Sequence, residues 1–362
     1  MRQIEKLSWV INNACNLHCI HCYPDSGIEK RRGFTQNDFK RLQDSMGSTH
    51  FKRVFLSGGE PILDENFFEY LKIAKSISDD VYLCSNGTML TDAMLGRLQQ
   101  KGVGGIILSL QALSSDISEQ IYGNASVPLK VLEVIERLKE YHFSFGVETT
   151  LMRKNINCLD QIVDTLIGRD VKFISFKRLM PVGRGEDEKL SLSKEENYAL
   201  LKKIYSWQVE NPDIRFNVHD PLYGTVLYDH LSDLTDNEAI IRWMKSFSCR
   251  AGTRWIGIDP FGNVSPCPLL LYKNVNIGNV FEKALKTILE ESDLIHMLQT
   301  TEDNTSGCCQ YGAFCLGCRV SALSKGSNFF GKDPMCVHDN ENCPISLKRG
   351  GLTCKRYESI AF

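Results

Sequence analysis

Over roughly the first 220 residues, short apolar runs alternate with amphipathic stretches. Residues 7–12 read as a strand, and 53–56, 80–84, 105–110, 143–150 and 171–178 repeat the pattern. Between these runs the apolar positions move to helical spacing. Thr35-Gln36-Asn37-Asp38 is a capping-box-like start, with Asp where Glu or Gln is usual, and Phe39, Leu42 and Met46 follow it. Phe67, Leu71 and Ala74 mark a helix from about Asp64, and Thr91 is placed to cap the next. Further helices are expected near 129–141, 159–168 and 194–209. Strands alternating with helices predict βαβ units and a parallel sheet. Six such units fit an α/β fold, an open, partial (β/α)6 barrel whose ligands lie beyond the carboxyl ends of the strands.

Residues 210–246 read as a connector with a helix or two, and the texture changes at Cys249. Gly, Pro, Asn and Cys become frequent and long helical patterns shrink. A loop-rich unit with little apolar core needs staples, which metal clusters supply. The expected organisation is a barrel over 1–220, a connector over 221–246 and a cysteine-rich domain over 247–362. A chain of 362 residues accommodates about two domains.

Composition narrows the class. With 24% charged residues and a net charge of −2, the chain has no long basic run and lacks a nucleic-acid footprint. No apolar stretch reaches the ~18 residues of a membrane span. The opening residues carry no signal peptide, so a cytoplasmic protein is expected. Fourteen cysteines in such a chain point to metal ligation rather than disulfides. Three fall between Cys15 and Cys22 and nine between Cys249 and Cys354, leaving only Cys84 and Cys158 elsewhere.

Cys15-Asn16-Leu17-His18-Cys19-Ile20-His21-Cys22 follows the first strand. Three thiolates on a four-iron cubane leave one iron open, as a catalytic metal site requires. A zinc site completed by His18 or His21 is the alternative. Ser57-Gly58-Gly59-Glu60-Pro61 follows the second strand, where glycines permit close backbone approach and Glu60 can accept from an ammonium group. Ser85-Asn86-Gly87 ends the third strand and Ser109 the fourth. Ordinary turn residues are the plain reading of both.

CNLHCIHCY, with these three motifs, resembles the radical S-adenosylmethionine (SAM) superfamily. The resemblance implies that Cys15, Cys19 and Cys22 are both the cluster's metal ligands and the catalytic centre. In the family SAM chelates the free iron, an electron from the cluster cleaves its sulfonium, and the 5′-deoxyadenosyl radical abstracts a substrate hydrogen. By the same resemblance Gly58, Gly59, Glu60, Ser85, Asn86 and Ser109 hold SAM. Relatives often read SLDG where this chain has Ser109-Leu110-Gln111-Ala112, which removes an acidic contact at 111. Pro181-Val182-Gly183-Arg184 resembles a family P-x-GR at the adenine side, with a solvated basic turn as the plain reading.

The later cysteines, with GNVSPC, CLGCR and KDPMC, resemble the SPASM domain, which carries one or two auxiliary [4Fe–4S] clusters. By analogy Cys249, Cys267 and Cys318 share one cluster, and Cys309, Cys315 and Cys336 the other. Cys308, Cys343 and Cys354 are left as candidate fourth ligands, and a zinc-knuckle reading stays open. Cys84 is a candidate hydrogen-atom donor, or a small buried hydrophobe.

The resemblance implies an oxidoreductase that draws electrons from a flavodoxin- or ferredoxin-type donor. The substrate it implies first is a peptide or protein. Only 14 residues precede Cys15, so a separate leader-recognition protein is expected unless the substrate is read directly. A haem-pathway or other small-molecule enzyme is the runner-up, because CNLHCIHCY, CLGCR and KDPMC also resemble enzymes that trim tetrapyrrole side chains. A non-catalytic iron–sulfur carrier or scaffold is the reading from another class.

Overall fold

The computed structural model describes residues 3–27, 35–231, 238–303, 311, 315–324 and 329–338. Seven strands follow one another as expected of βα units: β1 Lys6–Val10, β2 Arg53–Ser57, β3 Val81–Ser85, β4 Gly105–Ser109, β5 Ser144–Leu151, β6 Phe173–Arg178 and β7 Arg215–His219. They pair in parallel in that order. Then β8 Trp255–Ile258 pairs in parallel with β1 on its other side. Two short strands, β9 Asn263–Ser265 and β10 Gly278–Asn279, add antiparallel to it. The cysteine-rich part therefore begins by extending the barrel's own sheet.

The sheet curls. β7 and β8 are not hydrogen-bonded neighbours, yet the rings of His219 and Trp255 meet at 6.0 Å. Lys6 on β1 is likewise close enough to Arg215 on β7 for that charge to lower its pKa, after burial and the charges of Arg250 and Arg53, to about 8. The result is a partial barrel whose gap is bridged by side chains.

Alternation along each strand separates two faces. Leu7, Val54, Leu56, Leu83, Ile106, Leu108, Val147, Ile174 and Phe176 are fully buried against the outer helices. Ser8, Phe55, Cys84, Glu148, Ser175, Lys177 and Asn217 take the intervening positions and face the lumen. Helices α1 Gln36–Met46, α2 Phe67–Ser76, α3 Asp92–Gln100, α4 Ser115–Tyr122, α5 Val127–Glu140, α6 Leu159–Gly168 and α7 Lys194–Glu210 cover the outside. Thr35 and Asp38 form the expected capping box on α1, and Thr91 caps α3 through the Met94 N–H. The helix anticipated from Asp64 starts three residues later, because Pro61–Leu63 makes a 3₁₀ turn first.

Before Cys249, two elements were not anticipated, α4 and β7. Helix α4 has only eight residues, Ser-Asp-Ile-Ser-Glu-Gln-Ile-Tyr, most of them polar. Strand β7 alternates polar and apolar residues in Arg-Phe-Asn-Val-His, within the stretch read as connector. Helices α8 Tyr223–Leu231 and α9 Glu238–Lys245 follow it, and the anticipated helices near 129–141, 159–168 and 194–209 appear as α5, α6 and α7. Beyond β10 lie α10 Leu285–Glu291, α11 Asp293–Asp303 and α12 Arg319–Ser324.

Candidate active site

The loop after β1 carries Cys15, Cys19 and Cys22 at the carboxyl ends of the strands. Its first half is stitched to the Gly-Gly-Glu segment: the Gly59 N–H donates to the Asn12 carbonyl at 3.0 Å and the Glu60 N–H to that of Ala14 at 2.7 Å. A Cβ on Gly59 would lie 2.2 Å from the Ala14 oxygen and 2.9 Å from the Cys15 Cβ, so only glycine permits this approach. The middle of the loop is held by α4, through His18 N–H to the Tyr122 carbonyl at 3.1 Å and Ile20 N–H to that of Ile121 at 2.9 Å.

Arg184 clasps the far half. Its Nε donates to the Cys19 carbonyl at 2.8 Å, and its Nη1 to the Ser26 carbonyl at 2.9 Å and to Asp25 Oδ1 at 2.7 Å. Gly183, with φ +58°, packs against the Cys22 and Tyr23 carbonyls. The segment read as an adenine-side turn therefore holds the cysteine loop itself.

The three thiols are close enough for their charges to repel. Burial first, then the neighbouring Glu60 and Cys22 charges, pushes Cys15 up to about 11. Burial and the other two thiols push Cys19 higher still. N–H groups already point at sulfur, from Leu17 to Cys15 Sγ at 3.5 Å and from Ser26 to Cys22 Sγ at 3.4 Å. Two thiols, Cys15 and Cys19, that resist ionising alone, beside Cys22 and with N–H donors in place at Cys15 and Cys22, suit soft metal ions that bind cysteine as thiolate. Among the described residues no three His, Cys, Asp or Glu side chains converge as the ligands of a single ion would.

Glu60 is fully buried. It accepts from Ser85 Oγ at 2.9 Å and from the Asn86 N–H at 2.8 Å. Burial pushes its carboxyl up to about 7 against those donors. A buried carboxylate short of a cation is what an incoming ammonium would satisfy. Ser85 thus meets Glu60 directly, while the Asn86 side chain reaches the cysteine loop, donating to Asn16 Oδ1 at 2.9 Å. Gly58 packs on Asn12, and Ser109 lies in register with Glu148. Gln111, the residue that departs from SLDG, turns its amide oxygen to the Thr150 N–H at 2.6 Å and so braces β5.

The lumen below holds groups that sequence reasoning left out. Lys177 Nζ and Glu148 Oε1 pair at 2.6 Å. Burial alone would raise Glu148, but Lys177 and His219 together hold it below its ordinary value. Burial drops His219 to about 4, with Lys177, Lys6 and Arg250 adding to the drop and Glu148 opposing it. Tyr23, beside Lys177, Ser57 and Cys84, is pushed up to about 12, mainly by burial. Period-two spacing on β5, β6 and β7 was the available signal for Glu148, Lys177 and His219. Cys84 faces this lumen rather than the outer core, and burial pushes its thiol up to about 12.

In the cysteine-rich part, Cys249, Cys267 and Cys318 come together around a second apolar core with Met180, Val182, Leu270 and Val320. Burial first, then the charges of Cys249 and Cys318, pushes Cys267 up to about 12. Cys318 rises to about 11 by burial, with Arg178 opposing and Cys249 and Asp333 adding. Cys315 and Cys336 pack instead at the edge of the main core. Cys309, Cys308, Cys343 and Cys354 lie outside the described residues. Among the described residues, the buried Nε and Nη1 of Arg178 have no hydrogen-bond acceptor, as suits groups that face a cluster's sulfurs. The Tyr23 and Tyr272 rings meet edge to face at 5.5 Å and join the two cysteine regions.

Two family models match the chain: the radical SAM superfamily over residues 9–166 and an iron–sulfur cluster-binding domain, SPASM, over 249–318. An AdoMet-dependent heme synthase of Methanosarcina barkeri is 26% identical over 92% of this chain and 96% of its own. The mycofactocin maturase MftC of Mycolicibacterium smegmatis is 26% identical over 91% of this chain and 82% of its own. The SAM-bound structure of Streptococcus suis SuiB, 19% identical, superposes with a TM-score of 0.72 over 94% of this chain and 77% of that one, which shows the shared fold. A radical SAM domain implies a [4Fe–4S] cluster with SAM, and a SPASM domain implies auxiliary iron–sulfur clusters. The thiol loop, the buried glutamate beside it and both family matches lead to one conclusion: the chain belongs to the radical SAM superfamily and carries a SPASM domain.

Proposed function

We propose that this enzyme modifies a peptide or protein by radical chemistry begun at the Cys15, Cys19 and Cys22 loop. The reading is carried by one observation: that loop is locked at the carboxyl ends of the strands directly against a fully buried, cation-seeking Glu60. When bound, the cluster and SAM supply the electron and the 5′-deoxyadenosyl radical that removes a substrate hydrogen. The chain's own contribution is positional. Gly58 and Gly59 bring the backbone close, Glu60 receives the SAM ammonium, and Ser85, Asn86 and Ser109 complete the wall. The lumen below, with Glu148, Lys177 and His219, receives the substrate and excludes bulk water.

The auxiliary ligand sets are Cys249, Cys267 and Cys318, and Cys309, Cys315 and Cys336. The working units are 1–220, a connector over 221–246 and 247–362. A flavodoxin- or ferredoxin-type donor in the cytoplasm supplies electrons, and a separate protein presents the leader of the substrate. Among the described residues no helix is long and apolar enough to cross a membrane. Similarity to MftC, a maturase by name, supports the peptide substrate. Similarity to a heme synthase over nearly that protein's whole length favours a tetrapyrrole as the second reading.

The test is anaerobic incubation of reconstituted protein with SAM and dithionite. 5′-Deoxyadenosine is expected, and its absence with clusters verified overturns the enzyme reading in favour of a carrier. Substrate is assigned by mass change in a peptide encoded beside the gene or in a carboxylated tetrapyrrole. Modification of the tetrapyrrole alone replaces the first reading with the second.

A further inference from the structure

Arg178 ends β6 at the barrel's carboxyl rim and is 5% exposed. Its Nη2 donates to Asp333 Oδ2 at 2.7 Å. Its Nη1 stands 3.3 Å from Asp220 Oδ1, charge-paired but without hydrogen-bond geometry. Both carboxylates are fixed in turn. Asp220 accepts from Asn197 Nδ2 and from the Leu222 N–H, each at 2.9 Å. Asp333 accepts from the Met335 N–H at 3.0 Å and, through the same Oδ2 that meets Arg178, from the Cys318 N–H at 2.8 Å. Gly317 is held at φ +58°, where a Cβ would lie 2.7 Å from the Asp333 Cβ, so the Cys318 backbone sits hard against this carboxylate.

A guanidinium this deeply buried ordinarily satisfies all its N–H groups. Here, among the described residues, Nε and Nη1 are left over, and the Asp333 Oδ2 that takes Nη2 also takes the Cys318 N–H. We propose that Arg178 is the positioning residue of the auxiliary cluster held by Cys249, Cys267 and Cys318: it fixes Cys318 through Asp333 and directs its remaining N–H groups and charge at the cluster. The inference rests on those three cysteines sharing a cluster. Reduction adds a negative charge, so a nearby cation favours the reduced state and a nearby carboxylate disfavours it. Arg178 therefore raises the potential of this cluster, and Asp333 lowers it while holding Cys318.

The test uses the full-length chain with Cys15, Cys19 and Cys22 replaced by alanine, so that iron and electron paramagnetic resonance report auxiliary clusters alone. Adding Cys318→Ala must lower the iron content; unchanged iron and spectrum overturn the ligand reading and the inference with it. With that dependence established, Arg178→Met is expected to disfavour reduction about tenfold, ~59 mV for one electron. Asp333→Asn shifts it the opposite way, and Arg178→Lys retains most of the potential while broadening the signal. The opposed signs are what packing alone does not produce. If Arg178→Met fails to fold, Arg178→Lys and Asp333→Asn still decide. Potentials unchanged in every folded variant, or shifted in one common direction, overturn the role of Arg178 and leave the ligand set standing.

Discussion

The two cysteine regions reach similar ends by opposite routes. Cys15, Cys19 and Cys22 sit within one loop of eight residues, placed by backbone hydrogen bonds to the segment after β2, to α4 and to the Arg184 N–H. Cys249, Cys267 and Cys318 come from three distant segments and meet only because an apolar core and a buried ion pair bring them together. A local site is specified by spacing, so losing its metal should leave the fold intact. A distributed site closes long loops, and losing its metal should loosen the region it closes.

The largest expected effect breaks the comparison most directly. Replacing Cys15, Cys19 and Cys22 by alanine should remove about four irons and abolish 5′-deoxyadenosine formation, with the melting temperature nearly unchanged. Replacing Cys249, Cys267 and Cys318 should leave SAM cleavage measurable but lower the melting temperature by several degrees. Equal losses of stability in the two triple variants would erase the distinction. Iron analysis and calorimetry on the same anaerobic preparations decide it.

The same contrast explains what could be read in the sequence. The CxxxCxxC loop, the Gly-Gly-Glu segment and the six-unit βα alternation are short-range patterns, and each appears where expected. Ser85 ends β3 as the strand pattern predicts, but its hydrogen bond to Glu60, 25 residues away, carries no local signal. The clasp of Arg184 on the cysteine loop carried no local signal, because its partners, Cys19 and Asp25, lie some 160 residues earlier (159 to Asp25 and 165 to Cys19). Glu148, Lys177 and His219 carry no motif, and only the pairing of β5, β6 and β7, which sets Lys177 in register with His219, makes them neighbours. β7 was hidden because its inward positions are polar, Asn217 and His219, which reads as loop when the lumen is not yet known. Arg178 and Asp333, 155 residues apart, had no local signal at all.

A smaller effect tests how tightly the local site depends on backbone approach. Gly59→Ala places a methyl against the Ala14 carbonyl and should cost about 1–3 kcal/mol, while displacing Cys15 and lowering iron occupancy of the loop. Gly96→Ala is the control. Gly96 lies within α3 with nothing within 4 Å of its Cβ position. Helix propensity there predicts a gain of up to about 1 kcal/mol. Urea unfolding of both variants, with iron counts, reads the opposed signs. An unperturbed Gly59→Ala loop would mean the close approach is not needed.

Between the two regions lies the lumen ion pair. Lys177→Met strands the Glu148 carboxylate, and about 1–2 kcal/mol is expected. That is below the ~3–5 kcal/mol of a dry pair, because the Lys177 side chain is 45% open to the lumen. The Lys177→Met, Glu148→Gln double variant should recover most of the loss. A double-mutant cycle showing additive losses would mean the two charges do not interact.

The smallest effect is in pH. His219 Nε2 lies 2.7 Å from Asn217 Nδ2, a donor, so the neutral ring accepts there and carries its proton on Nδ1. Lys177, Lys6 and Arg250 face it with positive charge, while Glu148, 3.7 Å away, offers the opposing carboxylate and Trp255 an apolar face. The ring's pKa falls from 6.5 to about 4 on folding, so between these values the unfolded chain binds more protons than the folded one. Stability from this group is complete above pH 6.5 and is lost as pH drops toward 4. The side chain is 31% open to the lumen, so water softens the effect. The wild-type urea midpoint should therefore fall further between pH 7.5 and 5.5 than that of His219→Gln, measured on anaerobic holoprotein with intact clusters. Equal falls would mean that the lumen admits a charged imidazole freely, and that the barrel is wetter than its ion pair implies.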